Sequence, residues 1–488
     1  MPELHILPGD VFMQVPGGEN LRKALRGGNL APDAPCGGCG QCGKCKVIAG
    51  GREVLACQTF VERDMTVIVP QSTPPVILQE GIDTPCAKKP EWDGIGLAFD
   101  IGTTSVVCFA LDGATGKELA RAAMGNPQTV FGADVISRIR AALRGDLPRQ
   151  TDLIRESMTA LIHRVCVEAN IRPEEIRLVS VVGNPAMQQL FLGISPENLA
   201  GVPFAPVLTE AKTIPCGQIL PVCPNGQLLV VPDISGYVGA DTIGCILATG
   251  LHKAEEWTLL VDIGTNGEMV LGNRFRRIAC STAAGPALEG ANIRFGMRGA
   301  DGAIDHVWLE DGNVKCSVIG GAEAVGICGS GLVDAVAVAL ELGLLNKRGR
   351  IQREDRILPL TDRVWLTQED IRQVQLAKGA IHAGICLMAK ALGVEMKDIQ
   401  RVLLAGAFGS CLDPESACRM GLLPEQLLGK IEAVGNAAGT GAKMLARDPG
   451  LLQEADMLRR TTEFLELASL PEFPRTFAAA MRFREDRS

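Results

Sequence analysis

The alternation of apolar and polar positions divides the chain into three stretches. Residues 1–70 read as short strands with turns between them. "LHILPGDVFMQVP" is two strands about a Pro-Gly-Asp turn, and "NLRKALRGGN" is a short helix stopped by glycines. "REVLACQT" and "MTVIVP" are further strands. Over residues 71–93, Pro74, Pro75, Pro85 and Pro90 break any period, which predicts a linker. From residue 94 onward, apolar strand-like runs alternate with amphipathic helical runs, the pattern of an α/β domain. Within that domain a motif recurs. "IGLAFDIGTTSVVCFALD" and "WTLLVDIGTNGEMVLGN" are each an apolar strand that ends in Asp-Ile-Gly-Thr, turns, and re-enters a strand. The echo predicts two related lobes, about 94–250 and 256–488.

Composition narrows the function classes. With 488 residues, 47% hydrophobic and 21% charged, the chain can bury several ordinary cores. A net charge of −8 argues against a nucleic-acid partner, and one tyrosine and four tryptophans leave few platforms for stacking bases. The sequence has no apolar run long enough for a membrane span, so no membrane role is expected. "MPELHILPGDVFMQ" lacks the basic region and apolar core of a signal peptide, which points to the cytoplasm. Of 17 cysteines, twelve are scattered singly in apolar contexts, as at Cys108, Cys245 and Cys328, and read as buried free thiols.

The other five lie together in "APCGGCGQCGKCKVIAGGREVLACQT": Cys36, Cys39, Cys42, Cys45 and Cys57. Soft thiolates so closely spaced select an iron–sulfur cluster, zinc or copper. Taken as Cys36, Cys39, Cys42 and Cys45, the run approaches a bacterial four-iron motif, but that motif has three residues before its last cysteine and then proline. Taken as Cys36, Cys42, Cys45 and Cys57, it resembles the two-iron ferredoxins, with three ligands on one loop and a fourth from a distant strand. Gly37, Gly38, Gly40 and Gly43 favour this second set, because they let the loop aim backbone N–H groups at sulfur. Cys39 is then a bystander. The interval from Cys45 to Cys57 is shorter than in similar ferredoxin domains. Zinc is the lesser alternative, since a zinc ribbon uses two separated Cys-x2-Cys knuckles.

The paired Asp-Ile-Gly-Thr turns carry the second chemistry. Either alone is an ordinary hairpin; two matched copies, each with an acidic strand end, suit phosphate. Gly102, Thr103 and Thr104 from one lobe, and Gly264, Thr265 and Asn266 from the other, supply N–H and hydroxyl donors. Asp100 and Asp262 hold Mg²⁺ through water or position the attacking water. "RVLLAGAFGS" and "AVGNAAGTGAKMLA" add Gly406, Gly409, Gly435 and Gly439, where backbone can approach a nucleotide. "GICGSGLVDAVAVAL" opens a helix at Gly329, Ser330 and Gly331, which serves phosphate or close packing. Asp233 and Asp241 in "VPDISGYVGADT" could reach the interlobe cleft, but a helix cap or a solvated carboxylate is the expected role for each.

This order of phosphate turn, second phosphate turn, Gly-rich adenosine strand and closing glycine helix resembles the actin, sugar-kinase and heat-shock-chaperone (ASKHA) superfamily, with RNase H-like lobes. Fused to an N-terminal β-grasp two-iron ferredoxin, it is similar to the reductive activators of corrinoid proteins. "CGGCGQCGKCKV", "AFDIGTTS", "LVDIGTNGE", "GICGSGLVDA", "QLAKGAI", "LLAGAFG", "VGNAAG" and the tail "FLELASLPEFPRTFAAAMRF" carry the resemblance. Fuller relatives have an extra domain where this chain has its linker.

The resemblance implies an iron–sulfur reductase that uses ATP and Mg²⁺. One electron would pass from a [2Fe-2S] cluster to Co(II) of an inactivated corrinoid protein, restoring Co(I) for methyl transfer. It also implies an upstream low-potential electron donor and is compatible with a homodimer. Such cobalt is harder to reduce than a two-iron cluster near roughly −400 mV, and each 59 mV uphill costs about tenfold. Nucleotide-driven change of state would bridge that gap. Activators of radical dehydratases or aromatic reductases share the superfamily, but hold their cluster cysteines inside the ATPase part. An ATP-gated redox sensor is the third reading.

Overall fold

The computed structural model describes residues 1–28, 30–32, 40, 43–70, 77–82, 92–264 and 266–483. Cys36, Cys39, Cys42 and Thr265 lie outside the described residues.

Strands β1 (Glu3–Leu7) and β2 (Val11–Gln14) pair antiparallel about the Pro-Gly-Asp turn. Helix α1 (Leu21–Gly27) begins at Asn20, whose side chain accepts the Lys23 N–H and so satisfies an otherwise orphaned donor. Strands β3 (Lys46–Ala49), β4 (Arg52–Leu55) and β5 (Met65–Ile68) complete a sheet of order β2-β1-β5-β3-β4, in which β1 and β5 run parallel. This is a β-grasp arrangement. Leu4, Ile6, Leu21, Leu25, Val47 and Val67 close its small core. One expectation is corrected here: "REVLACQT" is not strand throughout, and Cys57 does not stand on a strand. The strand stops at Leu55, and Ala56–Gln58 is a 3-10 turn. Three bonds draw it out of the ladder: Ala56 N–H to the Cys45 carbonyl (2.8 Å), Thr59 Oγ1 to the Leu55 carbonyl (2.9 Å), and Asn20 Nδ2 to the Cys57 carbonyl (2.9 Å).

The described part of the linker is docked. Gly81 forms an antiparallel bridge with Gly435, and the Asn436 N–H donates to the Glu80 carbonyl at 2.7 Å. Ile77, Ile82 and Trp92 pack against the core that joins the lobes.

The first lobe contains β6 (Ile95–Ile101), β7 (Ser105–Asp112), β8 (Glu118–Gly125), β9 (Ile176–Gly183), β10 (Lys212–Pro215) and β11 (Gln227–Val230), in the order β8-β7-β6-β9-β11-β10. The second contains β12 (Trp257–Ile263), β13 (Gly267–Gly272), β14 (Arg277–Thr282), β15 (Ile399–Ala405), β16 (Ile431–Gly435) and β17 (Thr462–Phe464), in the order β16-β15-β12-β13-β14-β17. In each lobe a three-stranded antiparallel meander continues into a parallel strand, β6 beside β9 and β12 beside β15. The repeated motif is thus a repeated topology. Asp100 and Asp262 are the penultimate residues of the matching strands β6 and β12.

Helices α2 (Ala240–Thr249) and α5 (Ala437–Arg447) join the lobes. They approach so closely that a Cβ on Gly441 would collide with the backbone of Gly244. Between them in sequence lie α3 (Gly329–Glu341) and α4 (Gln368–Leu392), the latter opened by a Thr367–Asp370 capping box. Lys378 on α4 is almost fully buried, and its ammonium donates to the carbonyls of Ala480 (2.7 Å), Arg482 (2.8 Å) and Gly421 (3.4 Å). That bond set ties the "QLAKGAI" helix to the C-terminal tail. Among the described residues, no helix is long and apolar enough to cross a membrane.

Candidate active site between the lobes

The first phosphate turn is held from three sides. Asn126 Nδ2 donates to the Gly102 carbonyl (2.8 Å), Asn184 Nδ2 to Thr103 Oγ1 (3.1 Å), and the buried Arg138 to the Thr103 carbonyl. The Gly102 N–H closes its own hairpin on the Ser105 carbonyl, and the Gly264 N–H does the same on Asn266 (2.9 Å each). Both glycine N–H groups are therefore spent inside their turns. Their contribution is shape, and donation to phosphate falls to the neighbouring positions.

Carboxylates converge on the cleft. Burial, and then the charge of Asp241, pushes the Asp100 carboxyl up to about 7, against a hydrogen bond from Asn436. Burial, then Asp241, then Asp100, pushes Asp262 to about 7. Burial lifts Asp241 itself to about 6. Glu268, two residues beyond Asn266, is raised by burial, Asp241 and Asp262. Asp233 is fully buried, and burial, then the charge of Asp241, raises it against a hydrogen bond from the Ala240 backbone. Among the described residues, no lysine or arginine figures in any of these shifts. A group of carboxylates left uncompensated in this way fits a hydrated divalent cation.

For two of these residues the structure favours the cleft, the lesser of the two sequence alternatives. Asp233 is fully buried rather than solvated. Asp241 stands in the first turn of α2 and accepts the Thr242 N–H at 2.7 Å, yet it is the largest charge acting on both Asp100 and Asp262. Its signal was an acidic residue opening an otherwise apolar helix, "ADTIGCILAT". Glu289 was missed altogether. It ends the 3-10 turn Pro286–Glu289, and its Oε1 accepts from Thr104 Oγ1 of the opposite lobe at 3.4 Å.

The glycine positions divide by role. Gly406 is left-handed (φ 83°), and a Cβ there would stand 2.7 Å from Asp262 Oδ1, so the adenosine strand reaches the second carboxylate. The Gly439 N–H is taken by Asn436 Oδ1 at 2.6 Å, the residue that also bonds Asp100. Gly435 (φ 62°) lies under the Glu80 carbonyl, and Gly409 backs onto Leu404. At the start of α3, Gly329 abuts the Leu288 carbonyl and the Phe408 ring, Gly331 abuts Ile304, and the Ser330 hydroxyl bonds the Asp305 carbonyl at 2.8 Å. The small size of these three residues is used for packing behind the cleft.

In the N-terminal module, Cys45 and Cys57 sit at one end of the β3–β4 hairpin. Lys46 pairs with Leu55, and the Cys45 carbonyl holds the turn that carries Cys57. The two thiols of the expected ligand set that are described are thus brought together. Their chemistry suits a soft metal centre. Elsewhere burial pushes the Cys108 and Cys245 thiols up, as for inert structural cysteines.

Fold and cleft together define a two-lobed ATPase of the ASKHA class, joined to a thiol-bearing β-grasp module. Residues 256–488 match the family model described as the C-terminal domain of RACo, the ASKHA domain, and residues 95–254 match the RACo middle region. The corrinoid activation enzyme RamQ of Eubacterium limosum is 37% identical over 420 residues, covering 80% of this chain and 70% of that protein. The [Co(II) methylated amine-specific corrinoid protein] reductase of Methanosarcina barkeri is 28% identical over 417 residues, covering 78% and 75%. A solved structure of a reductive activator for a corrinoid, iron-sulfur protein superposes with a TM-score of 0.72 at 27% identity, over 99% of this chain and 98% of that one. The chain belongs to the family of reductive activators of corrinoid proteins.

Proposed function

We propose that this chain is an ATP-dependent reductase that returns Co(II) of an inactivated corrinoid protein to Co(I), one electron per cobalt. The observation that carries this reading is the joining, in one chain of this family, of a carboxylate-rich interlobe cleft to a hairpin that ends in Cys45 and, one residue beyond its facing Ala56, Cys57. A [2Fe-2S] cluster held by Cys36, Cys42, Cys45 and Cys57 would supply the electron at roughly −400 mV, after loading by an upstream low-potential donor.

The chain's own residues do the rest. Asp100 and Asp262 hold the hydrated Mg²⁺ that neutralises the triphosphate. Asp241, between them, orients the attacking water and takes its proton. Thr103, Thr104, Thr265 and Asn266 donate to phosphate oxygens from opposite lobes. Gly406, Gly409, Gly435 and Gly439 let backbone approach the nucleoside. Hydrolysis does redox work only if the corrinoid protein binds the two lobe states unequally. The cytoplasm is the proposed location.

The test mixes the reduced, cluster-loaded protein with a Co(II) corrinoid protein, with and without MgATP, and follows Co(I) by absorbance. Co(I) should accumulate to completion only with ATP. Equal reduction without nucleotide would sink the proposal.

A further inference from the structure

The loop 285–297 touches both functional centres. At one end is Glu289, half-buried, whose Oε1 accepts from Thr104 of the first phosphate turn and lies 3.9 Å from where a Cβ on Gly264 of the second would stand. One carboxylate thus sits between the two turns. It occupies the Thr104 hydroxyl that a phosphate would require. At the other end, the carbonyls of Gly296 and Arg294 accept from Lys44 Nζ at 2.7 and 3.5 Å. Lys44 immediately precedes Cys45 in the thiol-bearing loop.

Between its ends the loop has no slack. The Gly290 and Ala291 N–H groups close on Ala287 and Pro286 (2.9 and 3.0 Å), and the Gly296 N–H closes on Ile293 (3.0 Å). Phe295 and Met297 exchange bonds with Ile327 (2.8 and 2.9 Å). The Arg294 N–H is fixed by the buried Asp370 at 2.7 Å. Gly290, left-handed at φ 79°, lies so close to Gly296 and Met297 that neither glycine has room for a methyl group. A shift of Glu289 therefore drives the Gly290 carbonyl against Gly296, whose own carbonyl holds Lys44. Densely packed contacts of this kind pass a displacement on rather than absorb it.

We propose that Glu289 is a sensor that the arriving phosphates displace from Thr104, and that loop 285–297 relays this displacement to Lys44, loosening its hold on the second lobe when ATP binds. The idea rests on the ATPase reading above and adds the route by which the nucleotide reaches the redox module. Triphosphate repels the Glu289 carboxylate and competes for Thr104, so the tie to Thr104 breaks as the cleft fills. The Lys44 bonds to Arg294 and Gly296 are described contacts that this motion disturbs.

Amide hydrogen exchange on the full, cluster-loaded chain without any corrinoid protein tests this. Saturating MgATP should protect residues 262–266 and at the same time speed exchange in residues 43–57 by at least about threefold. Glu289→Gln should retain the protection of 262–266 and lose the acceleration of 43–57. Lys44→Met should show fast exchange in 43–57 without nucleotide, with ATPase within about twofold of the parent. Protection of 262–266 with no change in 43–57, or a Glu289→Gln chain that responds like the parent, overturns the relay and leaves the ATPase reading standing. No protection of 262–266 at any MgATP concentration overturns both.

Discussion

A carboxyl group raised to about 7 makes a definite statement about pH. In the role proposed for them, Asp100 and Asp262 would lose the charge that holds Mg²⁺ as pH falls through that value, so ATP hydrolysis should decline on the acid side of about 7. Added Mg²⁺ favours the ionised forms and should move that limb to lower pH. The stability of the nucleotide-free chain runs the opposite way. Folded-state values above those of free carboxylates mean that protons are taken up on folding, so the melting temperature should fall as pH rises through 6 to 7, and Mg²⁺ should restore it. Asp241→Asn separates charge from structure. It removes the largest neighbouring charge from Asp100 and Asp262, so the acid limb should shift to lower pH while kcat drops by about 10² or more. An unshifted limb in pH–rate profiles would remove Asp241 from the site. Asp100 and Asp262 were legible because each ends an apolar strand in a repeated phrase. The sequence puts Asp241 within reach of the cleft but favours a cap or solvated group, and Glu289 was missed, because each meets a partner in the other lobe, Asp262 and Thr104, and neither belongs to a repeat.

At the scale of elements, periodicity located the β6 and β12 strands and the matched turns, since a fully buried strand ending in Asp-Ile-Gly-Thr admits few other conformations. It misread two segments. The Cys57 turn was taken for strand, because "REVLAC" has the composition of one and the bonds that end it come from Asn20, Cys45 and Thr59. Residues 77–82, a described part of the stretch taken for a spacer, are docked by a one-glycine bridge that leaves no pattern in the sequence. Yet Gly81 carries a coupling that composition hides. A side chain there would strike Thr440 and the Asn436 carbonyl, and Asn436 bonds Asp100. Gly81→Val should therefore weaken ATP hydrolysis several-fold, through a cap whose loss costs about 1 kcal/mol, while iron content stays at the parent level. Gly81→Ser, smaller at the same place, should fall between. Iron assays and steady-state ATPase on the two variants check this, and equal activity in all three chains would show that the strap bears no load.

The whole molecule is a small β-grasp module laid across two lobes. Besides the Lys44 bonds to the second lobe, the Arg26 guanidinium lies 3.9 Å over the Phe131 ring of the first and pairs with Asp146 at 3.6 Å. None of these contacts is large, and an exposed ion pair contributes about 1 kcal/mol or less. These contacts among the described residues are ones that the module would have to break to deliver an electron to a partner. Its tether to the lobes through residues 77–82 is separate from this docking, so the two can be cut apart. A chain lacking residues 1–70 keeps both lobe cores and the Gly81 bridge. It should hydrolyse ATP and bind a corrinoid protein, but form no Co(I). Supplying residues 1–70 in trans, reduced and cluster-loaded, converts an intramolecular encounter into a bimolecular one. A short tether holds a module at an effective concentration of order millimolar, so Co(I) formation should return in proportion to added module and approach the parental rate only near that concentration. It should remain dependent on ATP throughout, because the cleft that alters the partner is in the lobes. Co(I) formation by the free module without lobes or ATP, followed by absorbance, would mean that the fusion serves only proximity and that hydrolysis does no redox work.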